Sequence, residues 1–337
     1  MATYGRIVIS RFGGPEVLEV VEDELRDARE GEVRVKVLAA GVSWVERMMR
    51  HGSYPGQPKP PFTPGYDVVG VVDQRGPGAS RFAEGERVAA LTIHGGYAEY
   101  VYLREEELVP VPAAVDPAAA VCLVLNYVTA YQMLHRTANL ASGQSALVHS
   151  AAGGVGTALL ELGRLAGVTA YATASAAKHE LVTRLGGRAI DYRKEDFVRA
   201  VRGLTGGAGV DAVFDAVGGR HWLRSARCLR AGGQLVAYGS QHEIGQSRLA
   251  ALAEDAASAL LLVLWPGRRF RFYAITSLKR DHPDWFREDL TALFDLLAQG
   301  KIHPVIMERI PWREARRGQE ILDQGAIQGK LVLTFPA

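Results

Sequence analysis

The stretch Ala146-Leu147-Val148-His149-Ser150-Ala151-Ala152-Gly153-Gly154-Val155-Gly156 constrains this chain more than any other. A short apolar run enters a turn of small residues. The turn opens onto a helical pattern with apolar positions at Val155, Leu159, Leu162 and Leu165. Gly153 and Gly156 keep the spacing of the last two glycines of a dinucleotide fingerprint, and Ser150 stands where the first would be. Small residues also serve plain tight turns, so the turn alone leaves both readings open. What it offers a pyrophosphate is backbone N–H groups that no side chain shields, at the partly positive end of a helix.

The surrounding pattern supports a nucleotide fold. Strands are expected at Ser145–His149, Val168–Thr173, Ala189–Asp191, Asp211–Asp215 and Gln234–Tyr238. Helices are expected between them at Val155–Ala166, Ala176–Leu185, Asp196–Leu204 and His221–Leu229. Repeated βαβ units with short connections imply a parallel sheet covered on both faces. The first third differs. Val-rich runs such as Glu32–Ala40, Val68–Gln74 and Arg87–Leu91, broken by Gly, Pro and Asp, read as a small irregular β domain. Trp44–Arg50 reads as a short helix there. Ala118–Thr137 is mostly apolar, lacks Gly and Pro, and suggests a long buried helix. Beyond Gly239, Leu249–Val263 and Trp285–Gln299 read as helices, and Arg271–Ile275 and Lys330–Phe335 as strands.

At 337 residues the chain is long for one core, so two domains are expected. Its 39 basic and 37 acidic residues nearly cancel, which argues against a polyanion binder. Cys122 and Cys228 are the only cysteines, far apart and in apolar or helical contexts. They imply no disulfide framework and fit a reducing compartment. Met1–Ser10 lacks a secretory pattern, and Ala256–Trp265 is too short to span a bilayer. A cytoplasmic location is expected, with no membrane or nucleic-acid partner.

The choice of dinucleotide turns on the end of the second strand of the unit. An NAD site places Asp or Glu there to bond the ribose 2′-hydroxyl. Here no acidic residue occurs between Glu161 and Glu180, and Ser175 and Lys178 follow the strand instead. A hydroxyl and an ammonium can donate to a 2′-phosphate, which a carboxylate would repel. Tyr192 follows the next strand, where it either covers the adenosine end or simply packs. Val217 and Gly218 end the fourth strand, and Tyr238, Gly239 and Ser240 the fifth. Sheets of this kind bind ligands at these carboxyl ends.

Further landmarks run through the chain in order: Gly41-Val42-Ser43-Trp44, His51-Gly52-Ser53-Tyr54-Pro55, Pro64-Gly65-Tyr66-Asp67, Gly95-Gly96-Tyr97-Ala98-Glu99-Tyr100-Val101, Asn126-Tyr127-Val128-Thr129-Ala130-Tyr131, Phe214-Asp215-Ala216-Val217-Gly218-Gly219 and Gly329-Lys330-Leu331-Val332-Leu333. With them the chain resembles, nearly end to end, the zinc-independent medium-chain dehydrogenase/reductases, in particular the NADPH quinone oxidoreductase group. The resemblance implies an α/β protein: a Rossmann doubly wound parallel sheet over 122–269, plus a split, mainly β GroES-like catalytic domain over 1–121 and 270–337. It also implies a homodimer joined edge to edge, with Arg271–Ile275 as the pairing strand.

Zinc-dependent relatives carry a Cys at or beside Ser43, and a His before the acidic residue of a Gly-x-Glu motif. This chain has Ser43-Trp44 and Tyr66-Asp67 there, and its nine histidines show no metal-ligand spacing. No metal is expected. Many quinone oxidoreductases carry Asn-Phe in place of Ser43-Trp44, and an Asp in place of Glu46. Substrate choice can therefore differ from the group's named activity, unless the change is drift in a tolerant loop.

The resemblance implies hydride transfer from NADPH to a quinone or an α,β-unsaturated carbonyl, whose accepting carbon needs no Lewis acid. It points to Tyr54 and Ser43 as donors to the developing enolate, though Tyr54 could equally pack on the nicotinamide. It places Thr129 and Ser43 near the nicotinamide, Gly153, Gly154, Val155 and Gly156 on the pyrophosphate, and Ser175, Lys178 and Tyr192 at the adenosine phosphate. Tyr273 and Lys330 are carried over from family positions. His51 and His94 read as surface residues, and Asp67 as a buried, paired carboxylate. Relatives include lens crystallins and a synaptic-vesicle membrane protein. NADPH binding without turnover is thus an alternative, as is an enoyl-reducing tailoring step.

Overall fold

The computed structural model describes residues 2–241 and 248–336. Within them the chain forms two compact units, Met1–Val128 with Phe286–Ala337, and Thr129–Trp285. The first opens with strands β1 (Thr3–Ile9), β2 (Leu18–Glu24) and β3 (Glu32–Val42), then helix α1 (Trp44–Arg50). It continues through β4 (Asp67–Arg75), β5 (Arg87–Leu91), β6 (Tyr100–Arg104), β7 (Val109–Pro110) and α2 (Pro117–Cys122). After α3 (Val128–Tyr131) the second unit alternates β8 (Ser145–Val148), α4 (Gly154–Leu165), β9 (Thr169–Ala174), α5 (His179–Arg184), β10 (Gly187–Asp191) and α6 (Phe197–Leu204). Then come β11 (Val210–Asp215), α7 (Arg220–Ala226), β12 (Leu229–Ala237), α8 (Arg248–Val263), β13 (Arg269–Phe272) and α9 (Ile275–Asp281). The chain closes with α10 (Pro283–Ala298), β14 (Ile306–Pro311), α11 (Ala315–Asp323) and β15 (Lys330–Thr334).

In the second unit the strand order is β10-β9-β8-β11-β12-β13 and every pairing is parallel. That is the doubly wound order, with its switch point between β8 and β11. Leu147, Val213, Phe214, Leu235 and Val236 are buried, as a sheet covered on both faces requires. Trp222 of α7 is the largest side chain in its core.

In the first unit seven strands form one sheet, ordered β14-β15-β3-β4-β5-β7, with β6 pairing β3. β3 buries Val33, Val35 and Val37 and not the residues between, the period of a half-buried strand. β15 runs antiparallel to β3, which brings Lys330 to the stretch where β3 turns into α1. A 3-10 turn and β1–β2 complete this unit.

Three expectations are corrected. Arg271–Ile275 is not one strand: β13 is Arg269–Phe272, and Ile275 already opens α9. The helix expected to reach Leu229 ends at Ala226, because Leu229 begins β12. Pro117–Thr137 is helical throughout but is widened by π turns at Leu123–Tyr127 and Gln132–Thr137. That run is long and apolar enough to cross a membrane, yet 83% of its most apolar window is buried, as for a core helix. The segments α9, β14 and α11 were not expected. The loop expected over Gln241–Arg248 falls mostly outside the described residues.

Candidate functional site

In the second unit the expected residues gather along one rim. Gly153–Gly156 follow β8, Ser175 and Lys178 follow β9, Tyr192 follows β10, Val217 and Gly218 follow β11, Tyr238–Ser240 follow β12, and Tyr273 follows β13. All lie at carboxyl ends of parallel strands, where the first N–H groups of the following helices point. Gly153 is the N-cap of α4, and among the described residues no side chain caps the first-turn N–H groups of Gly154, Val155 and Gly156. A Cβ on Gly156 would lie 2.4 Å from the Ser150 carbonyl oxygen, so only glycine lets the helix sit this close to the turn. Ser150 takes the left-handed φ of 52° that the first fingerprint glycine supplies elsewhere. The turn therefore fits a pyrophosphate.

Beyond β9 and β10 the rim is cationic. Burial, then the nearby Arg193 charge, lowers the Lys178 ammonium below its usual range. Two cations held this close favour an anion between them. Arg193 was not singled out from sequence, although Asp191-Tyr192-Arg193 stood next to Tyr192; its charge was the available signal. The Tyr192 ring is half exposed beside it, with the guanidinium 5.8 Å from the ring centre.

Behind the rim lies a buried polar chain that the sequence did not announce. The Ser225 hydroxyl donates to Asp215 Oδ2 at 2.6 Å, so its oxygen must accept from His149 Nε2 at 3.0 Å. Neutral His149 then accepts at Nδ1 from the Thr173 hydroxyl, 2.9 Å away. His221 Nδ1 donates to Asp215 Oδ2 at 2.7 Å, and the Val217 N–H to Oδ1 at 2.7 Å. The chain thus ties the ends of β8, β9 and β11 to the Val217 turn. Burial holds the His149 imidazole down at about 3, so it stays neutral. Burial would push the Asp215 carboxyl up, but the His221 bond, the two imidazoles and Ser225 hold it at about 2. Asp255 of α8 adds a second tie, accepting from Gly219 N–H and the Ser240 hydroxyl, each at 2.7 Å.

Tyr273 is used internally here: its hydroxyl donates to Gln132 Oε1 at 2.8 Å, buried. Thr129 lies buried on α3.

In the first unit Ser43 is the N-cap of α1 and forms a capping box with Glu46. The Ser43 N–H and hydroxyl donate to Glu46 Oε2 at 2.8 and 2.5 Å, and the Tyr66 N–H donates to Oε1 at 2.9 Å. Glu46 is only 1% exposed. Burial, then the Asp67 charge, raises its carboxyl to about 7 against the pull of Lys330 and Ser43. Lys330 does not stand open to a ligand: its ammonium is buried in an ion pair with Asp67 Oδ2 at 2.9 Å. Gly41 makes room for that pair, since a Cβ there would lie 2.3 Å from Asp67 Oδ1. The Tyr54 hydroxyl shares a 2.7 Å hydrogen bond with that of Tyr66, and the rings meet edge to face. His51 and His94 are exposed.

Among the described residues, His149, Asp215 and His221 are a group whose donor atoms could converge on a metal, within 4.8 Å of one another. Their sequence spacing gave no hint of it. These atoms already satisfy one another and Ser225, Thr173 and Val217, so an ion would have to break bonds that are formed. Ser43 and Tyr66 offer a hydroxyl and a phenol, and Cys122 donates its thiol to the Ala118 carbonyl. Zinc does not fit this donor set.

Comparison with known proteins gives a consistent picture. Residues 29–113 match the family of alcohol dehydrogenase GroES-like domains, and residues 185–333 the zinc-binding dehydrogenase family. Quinone oxidoreductase 1 of Escherichia coli (strain K12) is 32% identical, over 99% of this chain and 99% of that protein. The synaptic vesicle membrane protein VAT-1 homolog of Danio rerio is 32% identical, over 98% of this chain and 70% of its own length. The structure of Escherichia coli quinone oxidoreductase complexed with NADPH superposes with a TM-score of 0.87, at 29% identity, covering 99% of this chain and all of that one.

Proposed function

The chain belongs to the medium-chain dehydrogenase/reductases, in their quinone oxidoreductase-like group, and on that premise we propose that it is an NADPH-dependent reductase of quinones or α,β-unsaturated carbonyls. The observation that carries this reading is that Ser175 and Lys178 follow β9, where an NAD site would present a carboxylate. In this reading Gly153, Gly154, Val155 and Gly156 hold the pyrophosphate. Ser175, Lys178, Tyr192 and Arg193 hold the adenosine phosphate. Val217, Gly218, Tyr238, Gly239 and Ser240 line the rest of the rim, and Thr129 and Ser43 serve the nicotinamide end. Lys330 and Tyr273 are structural, given their internal partners.

Bound NADPH supplies the hydride. The protein's part is to orient the acceptor and to stabilise the charge that develops on its oxygen. A conjugated acceptor needs only hydrogen-bond donors for this. Tyr54 and Ser43 are those donors. The reading is tested with NADPH deuterated at C4 and a panel of quinones and enones. Deuterium on the β-carbon marks enoyl reduction, and hydroquinone without carbon label marks quinone reduction. Tight NADPH binding with no transfer to any acceptor would leave a binding protein instead.

The protein works as a dimer in the cytoplasm in this reading. β13 is the last strand of its sheet, and Phe272, Leu260, Leu261 and Leu264 expose apolar surface on β13 and around the end of α8. A second copy pairing there would cover it, and light scattering reporting a monomer would remove that part. A reducing compartment suits the two buried thiols, which burial pushes up to about 12.

A further inference from the structure

The first unit buries three ionisable side chains together: Glu46 of α1, Asp67 of β4 and Lys330 of β15. Among the described residues, a phenol and a thiol that face them are neutral. The Tyr97 hydroxyl, raised by burial, donates to the Gly41 carbonyl, and the Cys122 thiol of α2 is also raised by burial. Arg50 of α1 is committed to Asp323 and Gln319. One buried cation therefore serves two buried carboxyls, and Lys330 contacts Asp67. Two like charges in one dry site do not both ionise, so the carboxyl without a cation keeps its proton. That carboxyl is Glu46.

Its neighbours make this proton deliverable. Glu46 bridges Ser43 and Tyr66. When Glu46 is ionised, the Ser43 hydroxyl donates to it. When Glu46 is protonated, the bond reverses, and Glu46 donates to Ser43 Oγ. The hydroxyl hydrogen of Ser43 is then free to point outward. Ser43 Oγ can still accept from the Val45 N–H at 3.3 Å, so its donor and acceptor capacity is filled. Ser43 is partly exposed and Glu46 is not, so the serine is the outlet and the glutamate the store.

The geometry points to Glu46 as the proton reservoir of the reduction, acting through the Ser43 hydroxyl on the anion left by hydride transfer. The inference rests on the reductase reading and deepens it. The hydride brings two electrons and one hydrogen, to the β-carbon of an enone or to one carbonyl oxygen of a quinone. The enolate or hydroquinone anion then takes the Ser43 hydroxyl proton, Ser43 takes the Glu46 proton, and water reprotonates Glu46 after the product leaves. Glu46 is a positioning residue here, and Ser43 is the group that touches substrate.

Glu46→Gln is the decisive variant, because Gln also completes a capping box and keeps the helix start. In the protein without coenzyme, the infrared C=O band of a protonated carboxyl should titrate near neutral pH, and Glu46→Gln should remove it. In turnover, kcat of the wild type should fall as pH rises through about 7. Glu46→Gln should abolish that limb and lower kcat roughly 100-fold at pH 6. Ser43→Ala should abolish the limb while leaving the band in place, which separates relay from folding. A missing band overturns the inference, and so does an alkaline limb that survives Glu46→Gln or disappears only with Tyr54→Phe. A wild type that shows the band but reduces no conjugated acceptor fails the reductase reading, and the relay with it.

Discussion

Each unit buries a polar cluster, and the two solve the same problem in opposite ways. Asp215 in the second unit and Glu46 in the first are equally withdrawn from water. Asp215 is held at about 2 and Glu46 is raised to about 7. Burial is common to both, so it cannot be the cause of the difference. Asp215 accepts from an imidazole, a hydroxyl and a backbone N–H, and among the described residues no carboxylate is one of the main groups that shift it. Glu46, when ionised, also accepts three hydrogen bonds, but it shares its site with Asp67, and Lys330 contacts Asp67. The lesson is that the balance of charges around a buried carboxyl, more than its depth or its count of donors, decides whether it keeps a proton.

The comparison is most sharply tested by pH, because the two clusters should respond with opposite sign. Folded His149 binds its proton at about 3 against 6.5 in an open chain, so its stabilisation is lost as pH falls from 6.5 toward 3. Asp215 loses its share as pH falls through its own lowered range. Glu46 binds its proton more tightly when folded, so its contribution is full below 4.5 and lost as pH rises toward 7. The linked energies are about 5 kcal/mol for His149 and about 3 kcal/mol for Glu46 at full extent. Moving from pH 7 to 4.5 should weaken amide-exchange protection in Ser145–Val148 and Val210–Asp215 and strengthen it in Glu32–Val42. A parallel change in all three segments would end the contrast.

Next in size is the removal of the shared cation. Lys330→Met leaves Asp67 buried beside Glu46 with no counter-charge and should cost about 3–5 kcal/mol in urea unfolding. Asp67→Asn added to that variant should recover part of the loss. No recovery would mean that Lys330 matters for packing rather than charge. The smallest effect is expected at Ser225→Ala. It removes one donor to Asp215 and the acceptor for His149, at about 1–2 kcal/mol. The Asp215 carboxyl should rise, readable by NMR titration. An unchanged carboxyl would make His221 its dominant partner.

Much of the frame is written locally along the chain. The glycine turn, the alternation of apolar runs and the missing carboxylate after Thr173 follow local periodicity and spacing, so they were legible without tertiary contacts. The ionisation of the charged residues depends on contacts made in three dimensions. Lys330 read as a coenzyme contact until β15 paired with β3 and brought it to Asp67, 263 positions away. Glu46 read as one variant of a loop residue until the fold enclosed it with a second carboxyl. His149, Asp215, His221 and Ser225 show no pattern in the chain, because α7 folds back over the sheet to join them. Ionisation depends on neighbours within a few ångströms in three dimensions, and spacing along the chain does not encode those distances.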